Sequence, residues 1–252
     1  MPAELPFRAR SREPMRLEGF ADAVLGFAVT LAVVSLDVPR TSGDLILLVR
    51  GGLSFAITFM ILVGIWHGHH RWCRRYGLDD DVTIAWTALL LFVAVFYTYP
   101  LKFLMASTFD PFLGAPTQVV NAAGQLVDVM RSEHIGPVMA LYGLGFGLLQ
   151  VGFWALYRHA WQQRGRLQLD DAEQLETRLT MRSYRDAIVL SLVFMGMWPA
   201  MLLPRGLIRI AGLLVYLVGM IVALLVYMQG MRASARERER WLAGGGTPGE
   251  VK

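Results

Sequence analysis

The chain has 252 residues, of which 55% are hydrophobic and only 17% are charged, against roughly 25% in soluble domains. This composition excludes an ordinary soluble domain, because a fold of this size cannot bury so much apolar surface. The net charge of +4 does not indicate a nucleic-acid partner, since the basic residues lie between apolar segments. The single cysteine, Cys73, excludes an internal disulfide framework.

Six apolar segments follow one another along the chain, each long enough to cross about 30 Å of hydrocarbon. They are residues 17–38, 45–66, 82–104 (interrupted by Pro100), 136–157, 187–203 and 207–228. The sequence therefore predicts an all-α integral membrane protein with six transmembrane helices in one repeat per chain. The first segment lacks a small-residue cleavage site and is expected to be a retained helix.

The connections between these segments differ in charge and composition. Eighteen of the 24 Lys and Arg residues lie in the N-terminus, after the second and fourth segments, and in the tail, which predicts that both termini are cytoplasmic. Residues 1–13 are then a cytoplasmic N-terminus, 14–231 the transmembrane domain, and 232–252 a charged, partly disordered tail. A short interfacial helix is expected at 117–130, and the 158–186 connection is expected to extend the fourth and fifth helices.

Asp22 lies inside the first segment. An ionisable side chain in a membrane helix is costly unless it is paired or hydrated, so Asp22 is a functional candidate. The alternative is an interfacial position beside a basic residue. A helical period also places several residues on one narrow stripe of this segment: Arg16, Ala23, Phe27, Thr30 and Val34. The stripe is either a packing face or a pore lining, and periodicity alone favours packing.

Three histidines, His67, His69 and His70, end the second segment. Their spacing does not fit the i, i+4 pair of helical metal sites, so we expect an interfacial hydrogen-bonding cluster, no metal and no cofactor. The sequence has no H-E-x-x-H, G-x-S-x-G or nucleotide-binding glycine loop, and it predicts that the protein is not an enzyme.

The first segment resembles the transmembrane protein 175 family of potassium channels. The pattern R-x-x-x-F-[SA]-D, then T-L and a closing proline, is formed by Arg16, Phe20, Asp22, Thr30, Leu31 and Pro39. The second segment adds W-x-x-H-x-R as Trp66, His69 and Arg71, and the third adds Tyr99-Pro100. The chain departs from the family pattern at Ala21, where the family usually has serine, and at Phe27, where it usually has Ile or Leu.

The resemblance implies a potassium-permeable cation channel of the prokaryotic single-repeat form, a homotetramer in the lipid of the inner membrane. It implies that the first helix lines a central pore without a T-V-G-Y-G filter, with an apolar constriction and K+ as the permeant ion. Phe27, Thr30 and Val34, with Ala23, are then the pore-lining residues. The residues expected to fix the first helix against the second are Arg16, Phe20, Asp22, Trp66, His69 and Arg71.

Two other functions remain open from the sequence. A proton-coupled transporter would use Asp22 and the histidines as a relay. A membrane subunit with no transport role would use none of these residues directly. Transporters often carry a repeated pair of broken helices, and no such repeat is visible here.

Overall fold

The protein, seen in a computed structural model, is described at residues 7–11, 15–34, 38–114, 116–121, 123–129, 134–196 and 228–244. The helices are α1 (Arg16–Val34), α2 (Ser42–Arg50), α3 (Gly52–Tyr76), α4 (Asp81–Phe109), α5 (Ile135–Gln162) and α6 (Asp171–Gly196). A further helix, α7, spans residues 228–243.

Within these described ranges, four helices are long and apolar enough to cross a membrane: α1, α3, α5, and α4 with the 3-10 turn that follows it. The predicted segment 207–228 falls almost entirely outside the described residues, and so does 197–203 of the fifth segment.

The second predicted segment is divided into two helices at Gly51. Helix α2 begins with a capping box, in which Thr41 and Asp44 each accept a hydrogen bond from the other's backbone N–H. Helix α3 continues past the predicted end at residue 66 as far as Tyr76. It stops at Gly77, whose φ of 59° is the left-handed conformation that glycine adopts without strain. The histidines and arginines of 67–75 therefore lie on a continuous helix.

The predicted interruption at Pro100 is wrong, because α4 runs through this residue to Phe109. A proline inside a helix removes one backbone hydrogen bond, because it has no N–H to donate to the carbonyl four residues before it. Helix α5 packs against α4 at this level, where the Tyr142 hydroxyl donates to the Pro100 carbonyl at 2.6 Å and the Tyr97 hydroxyl donates to the Tyr142 carbonyl at 2.9 Å. Helices α4 and α5 approach closely at this point, since a Cβ on Gly145 would overlap the Tyr97 ring.

The expected interfacial helix at 117–130 is also wrong. Strands β1 (Gln118–Val120) and β2 (Leu126–Asp128) pair antiparallel in a small hairpin instead. Asn121 and Gly124 explain the difference. The Asn121 side-chain oxygen accepts hydrogen bonds from the backbone N–H groups of Ala123 and Gln125, and Gly124 adopts φ 76°. This turn chemistry favours a hairpin over a helix.

Helices α5 and α6 extend beyond the apolar segments, as predicted from the charged 158–186 connection. Helix α7 packs along the polar half of α6, where Arg238 donates two hydrogen bonds of 2.8 Å to Glu176 and Trp241 packs against Ala172, Leu175 and Leu179. The main core lies between α1, α3, α4 and α5 and includes Trp72, Leu90 and Leu156. Among the described elements, helix α1 packs against α3 and α4, which lie on one side of it.

Candidate functional site

The inward face of α1 consists mainly of small residues. Ala21, Ala28 and Ala32 are almost completely buried, together with Leu25, at a spacing of three and four residues. Alanines at this spacing allow helix backbones to approach closely, as in other membrane helix contacts. The Lys102 ammonium of α4 donates to the Ala32 carbonyl at 3.4 Å. The last turns of α1 are therefore fixed against α4.

The outward face of α1 carries the stripe identified in the sequence. Ala23 and Thr30 are exposed, and Phe27 and Val34 are 71% and 72% exposed. The Thr30 hydroxyl donates to the Gly26 carbonyl at 3.0 Å. A hydroxyl has two acceptor lone pairs besides its one donor, so the Thr30 oxygen can still accept contacts from outside the chain.

Asp22 is bound by α3. The Trp66 indole Nε1 donates to Asp22 Oδ1 at 2.8 Å, and the Trp66 ring stacks on His70 with 5.4 Å between centroids. Asp22 and Trp66, two of the six residues expected to fix the first helix against the second, are therefore in direct contact across the α1–α3 interface.

The other residues of the expected set are not in this contact. His69 is buried and its Nε2 lies 3.3 Å from the Thr87 hydroxyl of α4. Arg71 is half-buried two residues further along α3, whereas Arg16 and Phe20 are exposed on α1. The structure therefore places Asp22 and Trp66 in the α1–α3 contact, His69 in the α3–α4 contact, and Arg16 and Phe20 on the exposed face of α1.

Glu18 is a residue of this site that the sequence analysis missed. It is 1% exposed, and its Oε1 lies 2.8 Å from His70 Nδ1 and 3.4 Å from Arg74 Nε, both on α3. The sequence offered only a partial signal: Glu18 lies one turn before Asp22 on α1, and three histidines and three arginines follow Trp66 on α3. A buried carboxylate between two basic groups is a strong orienting contact, because removing one partner leaves an uncompensated charge.

The chain before α1 is docked rather than free. The Arg10 guanidinium donates to Glu173 Oε1 at 3.0 Å and to the Leu167 carbonyl at 3.0 Å, and the Arg10 backbone N–H donates to the Arg74 carbonyl at 3.0 Å. The Phe7 ring packs edge-on against Tyr76. Residues 7–11 therefore connect the end of α3 with the start of α6.

Titratable residues in this part of the molecule do not assemble into a metal site. Over the residues that the structure describes, no group of three or more His, Cys, Asp and Glu side chains has a geometry that would hold a metal ion. The arrangement around α1 thus consists of one anchored face and one exposed face.

The part of the chain that contains α1 and α3 is similar to known proteins. The family model described as endosomal/lysosomal potassium channel TMEM175 matches residues 16–97, which include α1, α3 and the first half of α4. A potassium channel from Marivirga tractuosa is 33% identical over 172 residues, which cover 68% of this chain and 69% of that protein. The chain belongs to the TMEM175 family.

Further relatives agree with this assignment. The potassium channel Cha6605_3372 of Chamaesiphon minutus is 30% identical over 107 residues, 39% of this chain and 53% of that protein. A crystal structure of a variant of the potassium channel MtTMEM175, in complex with a nanobody–MBP fusion protein, is 25% identical with a TM-score of 0.74. That match covers 91% of this chain and all of that one.

A lysosomal potassium-selective channel TMEM175 homologue from Chamaesiphon minutus shares the fold, with a TM-score of 0.50 at 20% identity over 87% of this chain and 96% of that one. Family membership confirms three expectations from the sequence: the protein is a multi-pass membrane protein, it is a potassium channel, and it is not an enzyme.

Proposed function

We propose that four copies of this potassium channel surround a central ion path and that the outward stripe of α1 lines it. The observation that carries the proposal is the exposure of Phe27 and Val34, large apolar side chains that nothing in the described part of the chain covers. One α1 per chain cannot enclose a path, so cyclic symmetry must supply the other walls.

Phe27 is the proposed constriction. Four aromatic rings at one level exclude water from a narrow path and block ions by dewetting. Thr30 lies one turn further along the same stripe, and its hydroxyl proton is already bound by the Gly26 carbonyl. Its oxygen lone pairs are therefore available to a potassium ion that has lost part of its water. Val34 continues the apolar wall beyond this hydroxyl layer, and Ala23 precedes the constriction.

The contacts on the inward side of α1 are proposed to hold this stripe in place. Asp22 with Trp66, and Glu18 with His70 and Arg74, fix the first half of the helix against α3. His69 and Arg71 act on α1 indirectly, since they position α3 against its own neighbours. Because an ion path only a few ångströms wide is sensitive to small shifts, we assign these residues a positioning role rather than a role in permeation.

The contact between subunits is proposed to involve a groove between α1 and α4. This groove has a volume of about 430 Å³ and is lined almost entirely by apolar atoms of residues that include Phe20, Val24, Leu91, Phe92 and Phe96. The groove adjoins the outward stripe of α1, so a neighbouring copy seated there would bring its own first helix close to the same axis. Arg16, exposed at the start of α1, would then face the neighbouring copy.

The proposed orientation places both termini in the cytoplasm of a prokaryotic cell, with the protein in the inner membrane. Its support is the distribution of Lys and Arg between the two sides, with 18 of 24 on the cytoplasmic one. The docked segment 7–11 and the ends of α3 and α5 then lie on the cytoplasmic side.

The test combines the mass of the detergent-purified particle with potassium flux in liposomes. We expect a tetramer whose flux follows the potassium gradient and needs no proton gradient. The rival proton-coupled transporter requires potassium movement that stops when the proton gradient is collapsed. A monomer that conducts potassium would contradict the proposed path.

A further inference from the structure

A pocket of about 460 Å³ lies between α5 and α6, away from α1. Arginine and tryptophan side chains dominate its lining, which includes Trp154, Arg158, Trp161, Arg178, Arg182 and Arg185. Trp154, Arg158 and Trp161 occupy the last turns of α5, which is one of the apolar helices, and the arginines of α6 precede the predicted segment 187–203. Tryptophan and arginine together are typical of the level where a membrane helix leaves the hydrocarbon.

The charges of this pocket are only partly compensated. Arg182 lies 3.5 Å from Glu237 of α7, and Arg185 lies 3.1 Å from Asp186. Arg158 instead stacks over the Trp154 ring at 5.1 Å, and Arg178 lies over the Trp161 ring at 5.7 Å.

Within the described ranges, no carboxylate pairs with Arg158 or Arg178. Stacking fixes the plane of a guanidinium while leaving its N–H groups free to donate. Guanidinium groups held in this way bind phosphate oxygens well, because the fork of donors matches their geometry.

Along α6, the arginines of the pocket are followed by apolar residues on the same stripe of the helix. Arg178, Arg185, Val189 and Leu192 recur at a helical spacing and so lie along one stripe of α6. Val189 and Leu192 are 52% and 60% exposed. A ligand that fits the whole stripe carries negative charge at one end and hydrocarbon at the other.

From this juxtaposition we propose that the pocket binds the phosphate of an anionic phospholipid of the cytoplasmic leaflet, with the acyl chains along Val189 and Leu192. Arg158 and Arg178 supply the donors that are not already paired. Trp154 and Trp161 hold these guanidinium groups at the headgroup level. The proposal goes beyond ion conduction, and it does not depend on which helix lines the ion path.

The test is native mass spectrometry of the full-length protein in detergent, titrated with palmitoyl-oleoyl phosphatidylglycerol or with the matching phosphatidylcholine. The pocket variant is Arg158→Gln with Arg178→Gln. The control is Arg166→Gln with Arg240→Gln, which removes two exposed arginines that do not line the pocket. Two arginines near the headgroup contribute about tenfold or more to the preference for phosphatidylglycerol over phosphatidylcholine. We expect the pocket variant to lose this preference and the control to keep it.

The source of the phosphate is tested separately by competition with excess inorganic phosphate. Weak competition, together with a rise in melting temperature on adding phosphatidylglycerol to wild type but not to the pocket variant, supports a lipid site. Full displacement by inorganic phosphate means that the pocket takes a soluble anion and contradicts the lipid proposal. Equal binding of the two lipids by wild type, or unchanged phosphatidylglycerol binding by the pocket variant, also overturns it.

Discussion

The two faces of α1 carry side chains of different size, in the reverse arrangement to that of a helix in a soluble protein. The face that packs inside the chain is built mostly of alanine, with Ala21, Ala28 and Ala32 almost fully buried. The face that points away carries Phe27 and Val34, which are largely exposed. Small residues inside allow close contact with α3 and α4. The large residues outside must find their surroundings beyond the chain, in lipid, another copy or an ion path.

This difference separates two kinds of residue on one helix. Substitutions on the inward face should change stability and assembly first, and conduction only as a consequence. Substitutions on the outward stripe should change conduction while the protein stays folded.

Phe27→Ala is expected to raise potassium flux severalfold and to leave the melting temperature nearly unchanged. The ring is mostly exposed within the chain, so its removal opens no internal void, whereas a wider and wetter path conducts better. Liposome flux and thermal melting of the same preparation measure both effects. Leu25→Ala on the inward face is the control. It should lower the melting temperature and should not raise potassium flux. A large loss of stability in Phe27→Ala, without increased flux, would show that Phe27 is a packing residue.

Glu18→Ala is expected to destabilise the protein by about 3 kcal/mol. This is the lower end of the range for breaking a buried ion pair, because the side chains of His70 and Arg74 are 33% and 31% exposed and can regain some water. Thermal or denaturant unfolding in detergent checks the value. Wild-type stability in this variant would mean that Glu18 does not anchor α1.

Ala28→Leu is expected to cost about 1–3 kcal/mol, since it adds volume to a closely packed face. The matched control is Ala23→Leu, which makes the same change on the outward stripe. We expect Ala23→Leu to melt like wild type and to reduce potassium flux by narrowing the path. Equal stability losses in the two variants would remove the distinction between the faces.

Asp80→Asn is expected to have the smallest effect, about 1 kcal/mol at neutral pH, and none on conduction. Burial raises the pKa of Asp80, but hydrogen bonds from Thr83 and His159 outweigh burial and hold the pKa below the ordinary value of an aspartate. A depressed carboxylate pKa stabilises the fold above the unfolded value, and the contribution is lost as pH falls through the folded value.

The stability difference between wild type and Asp80→Asn should therefore be full at neutral pH, above the unfolded pKa, and should decline as the pH falls through the lowered folded pKa. Unfolding at a series of pH values measures it. A constant difference over this range would mean that the charge on Asp80 contributes nothing.

The sequence predicted most of the helical fold because apolar length and charge placement act locally along the chain. It also predicted which residues share the outward stripe, since helical periodicity is a local property. It failed at Pro100, where α4 continues while packed against α5, and at 117–130, where the Asn121 side chain stabilises a turn.

Within the candidate site, the sequence indicated Asp22 and Trp66 but missed Glu18. A buried carboxylate is recognised by its partners, and His70 and Arg74 reach Glu18 only after α1 and α3 pack together. The direction of His69 toward Thr87 of α4 was equally hidden, because α3 packs against both α1 and α4. Tertiary contacts of this kind are not encoded in the spacing of one segment.

The most direct test of the account compares Val34→Cys with Val33→Cys, two exposed neighbours of which only Val34 lies on the proposed ion path. The native Cys73 is buried and should not react. We expect a charged, membrane-impermeant thiol reagent to block potassium flux through Val34→Cys and to leave Val33→Cys conducting. Equal block of both variants, or complete labelling of Val34→Cys without loss of flux, would contradict the claim that the outward stripe of α1 lines the path.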